Sequence, residues 1–334
     1  MNAITDVPGV EVGHATLIEG DAVRTGVSAV WPRGKHSFGP VFGGWFSLNG
    51  NGEMTGTAWI EESGFVNGPI LLTNTHAVGF VRDTFIQWFM KQQGVSADGT
   101  WLLPVVAETY DGFLNDINGF HLRAEHVVEA LEEAHSGPQA EGSVGAGTGT
   151  ICYHFKAGIG TASRVVRAYH VGVLVQANCG KRHQLTIAGV PVGRELPDDL
   201  PRGPLPAEET GSIIIVVCTD APLLPHQTKR LAKRAAMGLA RTGSSAANSS
   251  GDLFLAFSTA DVGVGAEGGP REVLMLPNEE MSPLFEAVVE ATEEAIINSL
   301  VAADTMSGYN GNRASALPLD RVVSVMERYN RLRR

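Results

Sequence analysis

Short apolar runs broken by glycine-rich turns fill the first third of the chain. Residues 7–14 begin the pattern. Residues 26–32 and 68–75 follow as strand candidates, with Asn49-Gly50-Asn51-Gly52 as a turn signal between them. The period then changes. Residues 83–93 and 122–135 read as helices, the second with Val127, Val128 and Leu131 on one face. Residues 164–176 are rich in valine and stop at Ala177-Asn178-Cys179-Gly180, and residues 185–192 predict a further strand. Asp220-Ala221-Pro222 predicts the opening of a helix that runs to about Arg241 and stops at Gly243. Ser249-Ser250-Gly251-Asp252 reads as a turn before a strand over residues 253–259. Ser282-Pro283 suits the N-cap and first position of a helix reaching Ala303, and a last helix starts near Leu319. The helix after Ser282 is apolar over much of its surface, as expected of one lying between layers. Helices and strands mix without strict alternation, so α+β layers fit better than a doubly wound sheet.

One stretch stands apart. A polar, proline-broken segment over residues 195–211 ends at Gly211, and an unbroken, β-branched run begins at Ser212 and continues to Cys218. Such a run predicts a strand buried on both faces. The segment before it, with four prolines and five acidic residues, is the best candidate for an exposed connector. If the bond between Gly211 and Ser212 were cut, Ser212 would carry both a hydroxyl and a free α-amine. That amine, with an ordinary pKa of roughly 7.7–8.0, suits a general base acting on its own hydroxyl. From these residues alone, the simpler reading is that Ser212 merely opens a core strand.

Composition narrows the field. At 334 residues, 43% hydrophobic and 18% charged, the chain is an ordinary globular protein. A net charge of −11 argues against a nucleic-acid partner. Cys152, Cys179 and Cys218 have no metal-like spacing, and their odd number argues against a disulfide framework and for a reducing, cytoplasmic setting. The first residues lack a signal peptide's pattern, and no apolar stretch is long enough for a membrane span. The glycine-rich residues 141–149 follow a polar stretch, not a strand, which weakens a nucleotide-loop reading.

Common catalytic motifs are missing: no Gly-x-Ser-x-Gly elbow, no His-Glu-x-x-His and no Cys-x-x-Cys. Four polar features remain that folding could bring together. They are Glu108-Thr109-Tyr110-Asp111 after the apolar residues 102–107, Asn178 at a strand end, Ser250 with Asp252, and the Ser212 amine. Singly, each also fits a loop carboxylate, a half-buried aromatic, or a turn or cap residue.

Together, these residues carry a resemblance. The chain resembles, nearly end to end, the N-terminal-nucleophile serine aminopeptidases that include L-aminopeptidase/D-esterases (amidases) and β-aminopeptidases. The likeness rests on residues 4–14, on residues 107–112 with Leu114-Asn115-Asp116, and on residues 155–164 and 173–180. It continues through Gly211-Ser212, Thr219-Asp220-Ala221-Pro222-Leu223 and Ser250-Gly251-Asp252.

The resemblance implies a four-layer α/β/β/α sandwich and a precursor, residues 1–334, that cleaves itself between Gly211 and Ser212. The α chain (1–211) and β chain (212–334) would stay together. Glycine at 211 is expected because it tolerates a strained backbone. By the same resemblance Ser212 is the nucleophile, and Asn178 with Tyr110 holds the oxyanion. Glu108 binds the substrate's protonated α- or β-amine, and Ser250 and Asp252 orient the Ser212 amine and relay protons. Relatives with a longer glutamate at the position of Asp252 make that residue the least direct match, and Ser249 offers a neighbouring hydroxyl. The implied activity is hydrolysis of N-terminal residues from small peptides, amides and esters, with no metal or cofactor, no membrane partner, and assembly as a homo-oligomer, a tetramer. An acyl transferase on the same scaffold and an unprocessed, non-catalytic homologue are the alternatives.

Overall fold

The computed structural model describes residues 1–35, 37–93, 101–204, 211–260, 269 and 272–332. In chain order its main strands are β1 (Glu11–Glu19), β2 (Val23–Trp31), β3 (Val41–Gly50), β4 (Phe65–Val66), β5 (Ile70–Asn74) and β6 (Val105–Thr109). They continue with β7 (Ile151–Cys152), β8 (Phe155–Lys156), β9 (Ile159–Val166), β10 (Tyr169–Asn178), β11 (Ser212–Thr219) and β12 (Gly251–Ser258). The helices are α1 (Thr57–Ser63), α2 (Val78–Gln93), α3 (Ala124–Glu132), α4 (Val192–Glu195), α5 (Pro225–Arg241), α6 (Ser282–Val301) and α7 (Leu319–Arg328).

Two sheets carry the fold. One has four strands in the order β1-β2-β5-β6, the other six in the order β4-β3-β12-β11-β10-β9. Alternation along the strands explains the layering. On β11, Ile214, Val216 and Cys218 face a core shared with Val12, Val30 and Leu72 of the other sheet. Ile213, Ile215 and Val217 face the opposite way, against Leu231, Leu239, Val288 and Ile296 of α5 and α6. On the outer face of the four-stranded sheet, Leu71 and Val106 meet Val81, Phe85, Val127 and Leu131 of α2 and α3. The result is the expected α/β/β/α sandwich. All eight residues of β11 are buried, as its unbroken apolar run requires. Each of its Ile and Val side chains stabilises the fold by roughly 1.5–3 kcal/mol.

Several local expectations need correction. Residues 185–192 do not form a strand: Ala188 and Gly189 have φ of 48° and 80°, and only an isolated bridge joins Ile187 to Val190. The positive φ pair turns the chain back within a few residues, too tightly for a ladder. Residues 164–176 are not one strand but parts of β9 and β10, joined by a turn in which Arg167 has φ 55°. Helix α5 starts at Pro225, not at Pro222, and Pro225 takes the first-turn position that its missing N–H suits. Ser282 is already helical in α6, with Met281 at the N-cap. Gly251 and Asp252 belong to β12 and not to a turn before it. Of the connector preceding Ser212, residues 205–210 lie outside the described residues.

Candidate active site

The site forms where strand ends of the two sheets converge. β11 runs antiparallel to β10 and parallel to β12, and the registers set Asn178 opposite Ser212 on one side and Gly251 opposite it on the other. Three neighbouring strand ends therefore assemble Asn178, Ser212 and the Ser250–Asp252 segment through backbone pairing alone. The Ser212 hydroxyl accepts the Gly251 N–H at 3.1 Å, which fixes its oxygen near the mouth of the sheet. Asn178 Oδ1 accepts the Ile151 N–H at 3.0 Å. With that bond orienting the amide, the side chain can offer its NH₂ as a donor to a reacting group. Behind Ser212, the fully buried Ser250 hydroxyl donates to Asp252 Oδ1 at 2.8 Å.

Glycine at 211 has a different cause from the one expected. Gly211 is not among the residues with left-handed φ. A Cβ there would lie 2.4 Å from the Asn178 carbonyl oxygen and 2.7 Å from Cys179 Cα. Close approach to the strand carrying Asn178, not strain, demands the missing side chain. Gly251 is similar, since a Cβ there would lie 2.4 Å from the Asn51 carbonyl oxygen of the overlying loop.

The four-stranded sheet supplies the other wall. β5 and β6 are parallel, and their paired ends deliver Thr75 and the Glu108–Tyr110 segment to the same cleft. Glu108 is 2% exposed. Its Oε1 accepts the Glu53 N–H at 3.0 Å, and its Oε2 accepts the Thr75 hydroxyl. Burial raises its pKa above the ordinary carboxylate value; the Thr75 and Glu53 donors pull it back, and the Glu53 charge adds a smaller upward push. A protonated amine arriving in the cleft would favour the ionised form. Tyr110 is 42% exposed, and partial burial, then the neighbouring Asp111, raise its phenol, which keeps it a donor at neutral pH.

A cleft of about 480 Å³ is lined by Asn51, Gly52, Glu53, Thr75, Glu108, Tyr110, Ser212 and Ser249. The structure thus brings Ser212, Glu108 and Tyr110 to one cavity. Asn178 and Gly251 flank Ser212 within the sheet, with Ser250 and Asp252 on either side of Gly251. It also separates the two serines that the sequence left side by side: Ser249 lines the cleft, while Ser250 is buried on Asp252. Sequence reasoning missed Thr75, the Glu53 amide, the Asn51 loop and Ile151. The turn signal at residues 49–52 was the one hint of the loop. A second cavity, of about 250 Å³ and walled by His76, Phe80, Phe120 and His121, holds none of the expected site residues.

Among the described residues no group of three His, Cys, Asp or Glu side chains is arranged to hold a metal ion, and no helix is long and apolar enough to cross a membrane. Cys152, Cys179 and Cys218 are buried, and the Cys152 and Cys179 sulfurs lie 3.6 Å apart.

Comparison with known proteins gives this geometry a context. The model of peptidase family S58 matches residues 2–314. The β-peptidyl aminopeptidase BapA of Sphingosinicella microcystinivorans is 52% identical, over 99% of this chain and 89% of that protein. Among solved structures, a Burkholderia sp. β-aminopeptidase superposes with a TM-score of 0.90 at 48% identity, covering 98% of this chain and 94% of its own. The L-aminopeptidase D-Ala-esterase/amidase of Ochrobactrum anthropi superposes with a TM-score of 0.93 at 44% identity, covering 99% and 95%. That structure is described as a prototype for the serine aminopeptidases and a variant of the Ntn hydrolase fold.

Proposed function

Because the chain belongs to peptidase family S58, we propose that it is a self-processing serine aminopeptidase/amidase with Ser212 as its nucleophile. The observation that carries this reading is the meeting of the Ser212 hydroxyl and the buried Glu108 carboxylate in one cleft. In the precursor, Ser212 Oγ attacks the Gly211 carbonyl, the C–N bond breaks as the amide rearranges to an ester and frees the Ser212 amine, and water then hydrolyses the ester to a Gly211 carboxylate and the Ser212 hydroxyl. In the mature enzyme that amine takes the hydroxyl proton as Ser212 Oγ attacks the substrate carbonyl. The Asn178 NH₂ and the Tyr110 hydroxyl donate to the developing oxyanion. The Ser250–Asp252 pair holds the amine and relays its proton to the leaving group. Water then hydrolyses the acyl-enzyme ester by the same route.

Glu108 is the residue that makes the enzyme an exopeptidase. A carboxylate in a poorly hydrated wall forms a charge-assisted hydrogen bond with a protonated amine and has nothing comparable for an acylated one. An L-α-, D-α- or β-amine meets that requirement. The relatives, named for β-peptidyl, L-amino and D-Ala ester or amide substrates, support small substrates with a free amine.

After cleavage at 211 the two chains stay together in this account. β11 remains paired to β10 of the other chain, and the core between the sheets draws residues from both sides of the cut. Assembly as a homo-oligomer, a tetramer, and residence in a reducing cytoplasm belong to the same proposal. Denaturing electrophoresis with N-terminal sequencing tests processing: two chains are expected, one beginning at Ser212. One persistent full-length chain in an active preparation would refute self-processing.

A further inference from the structure

Behind Glu108 lies a buried polar cluster that the reaction itself does not use. The Thr75 hydroxyl holds Glu108 Oε2, so whatever fixes Thr75 also fixes the carboxylate. Thr75 opens the turn Thr75–Ala77 that leads straight into α2. Asn74 caps this turn: its Oδ1 accepts the His76 and Ala77 N–H groups, each at 3.1 Å. At its other end, Asn74 Nδ2 donates to Thr25 Oγ1 at 2.8 Å. Thr25 belongs to β2, deep in the same sheet, and is 1% exposed. Next to it sits Asp111, 1% exposed, whose Oδ1 accepts Asn115 Nδ2 at 3.0 Å. Asn115 Oδ1 in turn accepts the Arg24 N–H at 3.0 Å.

Resting on the reading of Glu108 as the amine-binding group, we infer that Asn74 is a positioning residue. It is locked from behind by Thr25, Asp111 and Asn115, and it fixes the Thr75 hydroxyl on the amine-binding carboxylate. Each component has a physical reason to act this way. An asparagine anchored through both its oxygen and its nitrogen cannot rotate without losing three hydrogen bonds, one of them to the buried Thr25 hydroxyl. Thr75 then has one orientation relative to the end of β5. Its hydroxyl points at Glu108, which is carried by the neighbouring parallel strand β6. The cluster converts the rigidity of the sheet interior into a fixed carboxylate orientation in the cleft. Pre-organisation of this kind raises amine affinity without a new contact to the substrate.

The test reads amine recognition apart from chemistry. The competitive inhibition constant of a short primary amine lacking a carbonyl is measured for the processed enzyme and for Asn74→Ala, Thr25→Val, Thr75→Val, Glu108→Gln and the Asn74→Ala/Thr75→Val pair. Thr75→Val is expected to weaken the amine about 10-fold, and Asn74→Ala and Thr25→Val about 3- to 10-fold, with kcat changing less than the inhibition constant. Because Asn74 acts through Thr75, the double variant should be no weaker than Thr75→Val alone. A product of the two single effects, or no effect of either Asn74→Ala or Thr25→Val, would overturn the inference. Thr25→Val is near-isosteric and keeps the test open if Asn74→Ala does not fold. Loss of amine binding in Glu108→Gln with additive Asn74 and Thr75 effects would refute the positioning role alone. An unchanged constant in Glu108→Gln would remove the underlying reading of Glu108 and this inference with it.

Discussion

The two walls of the cleft are built by different means. The six-stranded sheet assembles its half by backbone register: Asn178, Ser212 and Gly251 sit opposite one another on adjacent strands, with the Ser250–Asp252 pair buried behind. The four-stranded sheet assembles its half by side chains reaching across loops. Glu108 is held by a hydroxyl 33 positions away and by an amide 55 positions away. The difference teaches a division of labour. The groups proposed to react stand on paired strand ends, where a strand cannot slip by one residue without turning its side chains to the other face. The proposed amine-reading group, Glu108, stands on side-chain and loop hydrogen bonds.

If that division is right, substitutions on the two walls should differ in kind, and the largest effects should come from the reactive wall. Ser212→Ala removes the hydroxyl proposed to serve both cleavage and turnover. A single chain of residues 1–334 without measurable hydrolysis is expected on a gel and in an amide assay. Asn178→Ala removes one proposed oxyanion donor and should lower kcat about 100- to 1,000-fold, with little change in the affinity for a short amine. On the same wall, Ser250→Ala should slow turnover about 100-fold or more, whereas Ser249→Ala, altering only a lining residue, should change it far less. Equal losses in the two serine variants would show that the buried pair is not part of the reaction.

The recognition wall should respond differently. Glu108→Gln keeps the shape and removes the charge, so the chain should still cleave itself before Ser212. Its kcat/KM for free-amine substrates should fall by about 2–3 kcal/mol, while N-acetylated substrates, already poor, lose little. Equal losses on both substrate types would erase the distinction between the walls.

The smallest expected effect concerns Asp111, the acidic residue of the buried cluster. Burial pushes its pKa up to about 7, against the opposing pull of Thr25, Asn115 and Asn74. A carboxyl whose folded value is raised favours folding while it is protonated. That contribution is complete below the ordinary value of 3.8 and is lost as pH rises through about 7. Wild-type stability to urea should therefore fall between pH 5 and pH 8 relative to Asp111→Asn, by on the order of a few kcal/mol at most. Parallel pH profiles for the two proteins would show that Asp111 does not titrate in this range.

The same contrast governs how much was legible in the sequence. Ser212 announced itself because a polar connector meets a buried strand at one residue, and Asn178 because a valine-rich run ends there. The sandwich followed from mixed elements together with the resemblance. Thr75, Glu53 and Ile151 carried no local signal, since their contacts with Glu108 and Asn178 exist only after distant segments meet. Residues 185–192 misled for the converse reason: apolar content suggested a strand, while Ala188 and Gly189 fold the chain into a turn that buries the same side chains without a ladder.

The most direct test of the central claim is to identify the atom that carries the acyl group. The processed enzyme would be mixed with a free-amine ester, quenched in acid within the first turnovers, digested and analysed by mass spectrometry. The account predicts an added acyl mass on the peptide whose first residue is Ser212, with none on that peptide in Asn178→Ala enzyme at the same early time. An acyl group on any other residue, or rapid turnover by a chain still uncut before Ser212, would contradict it.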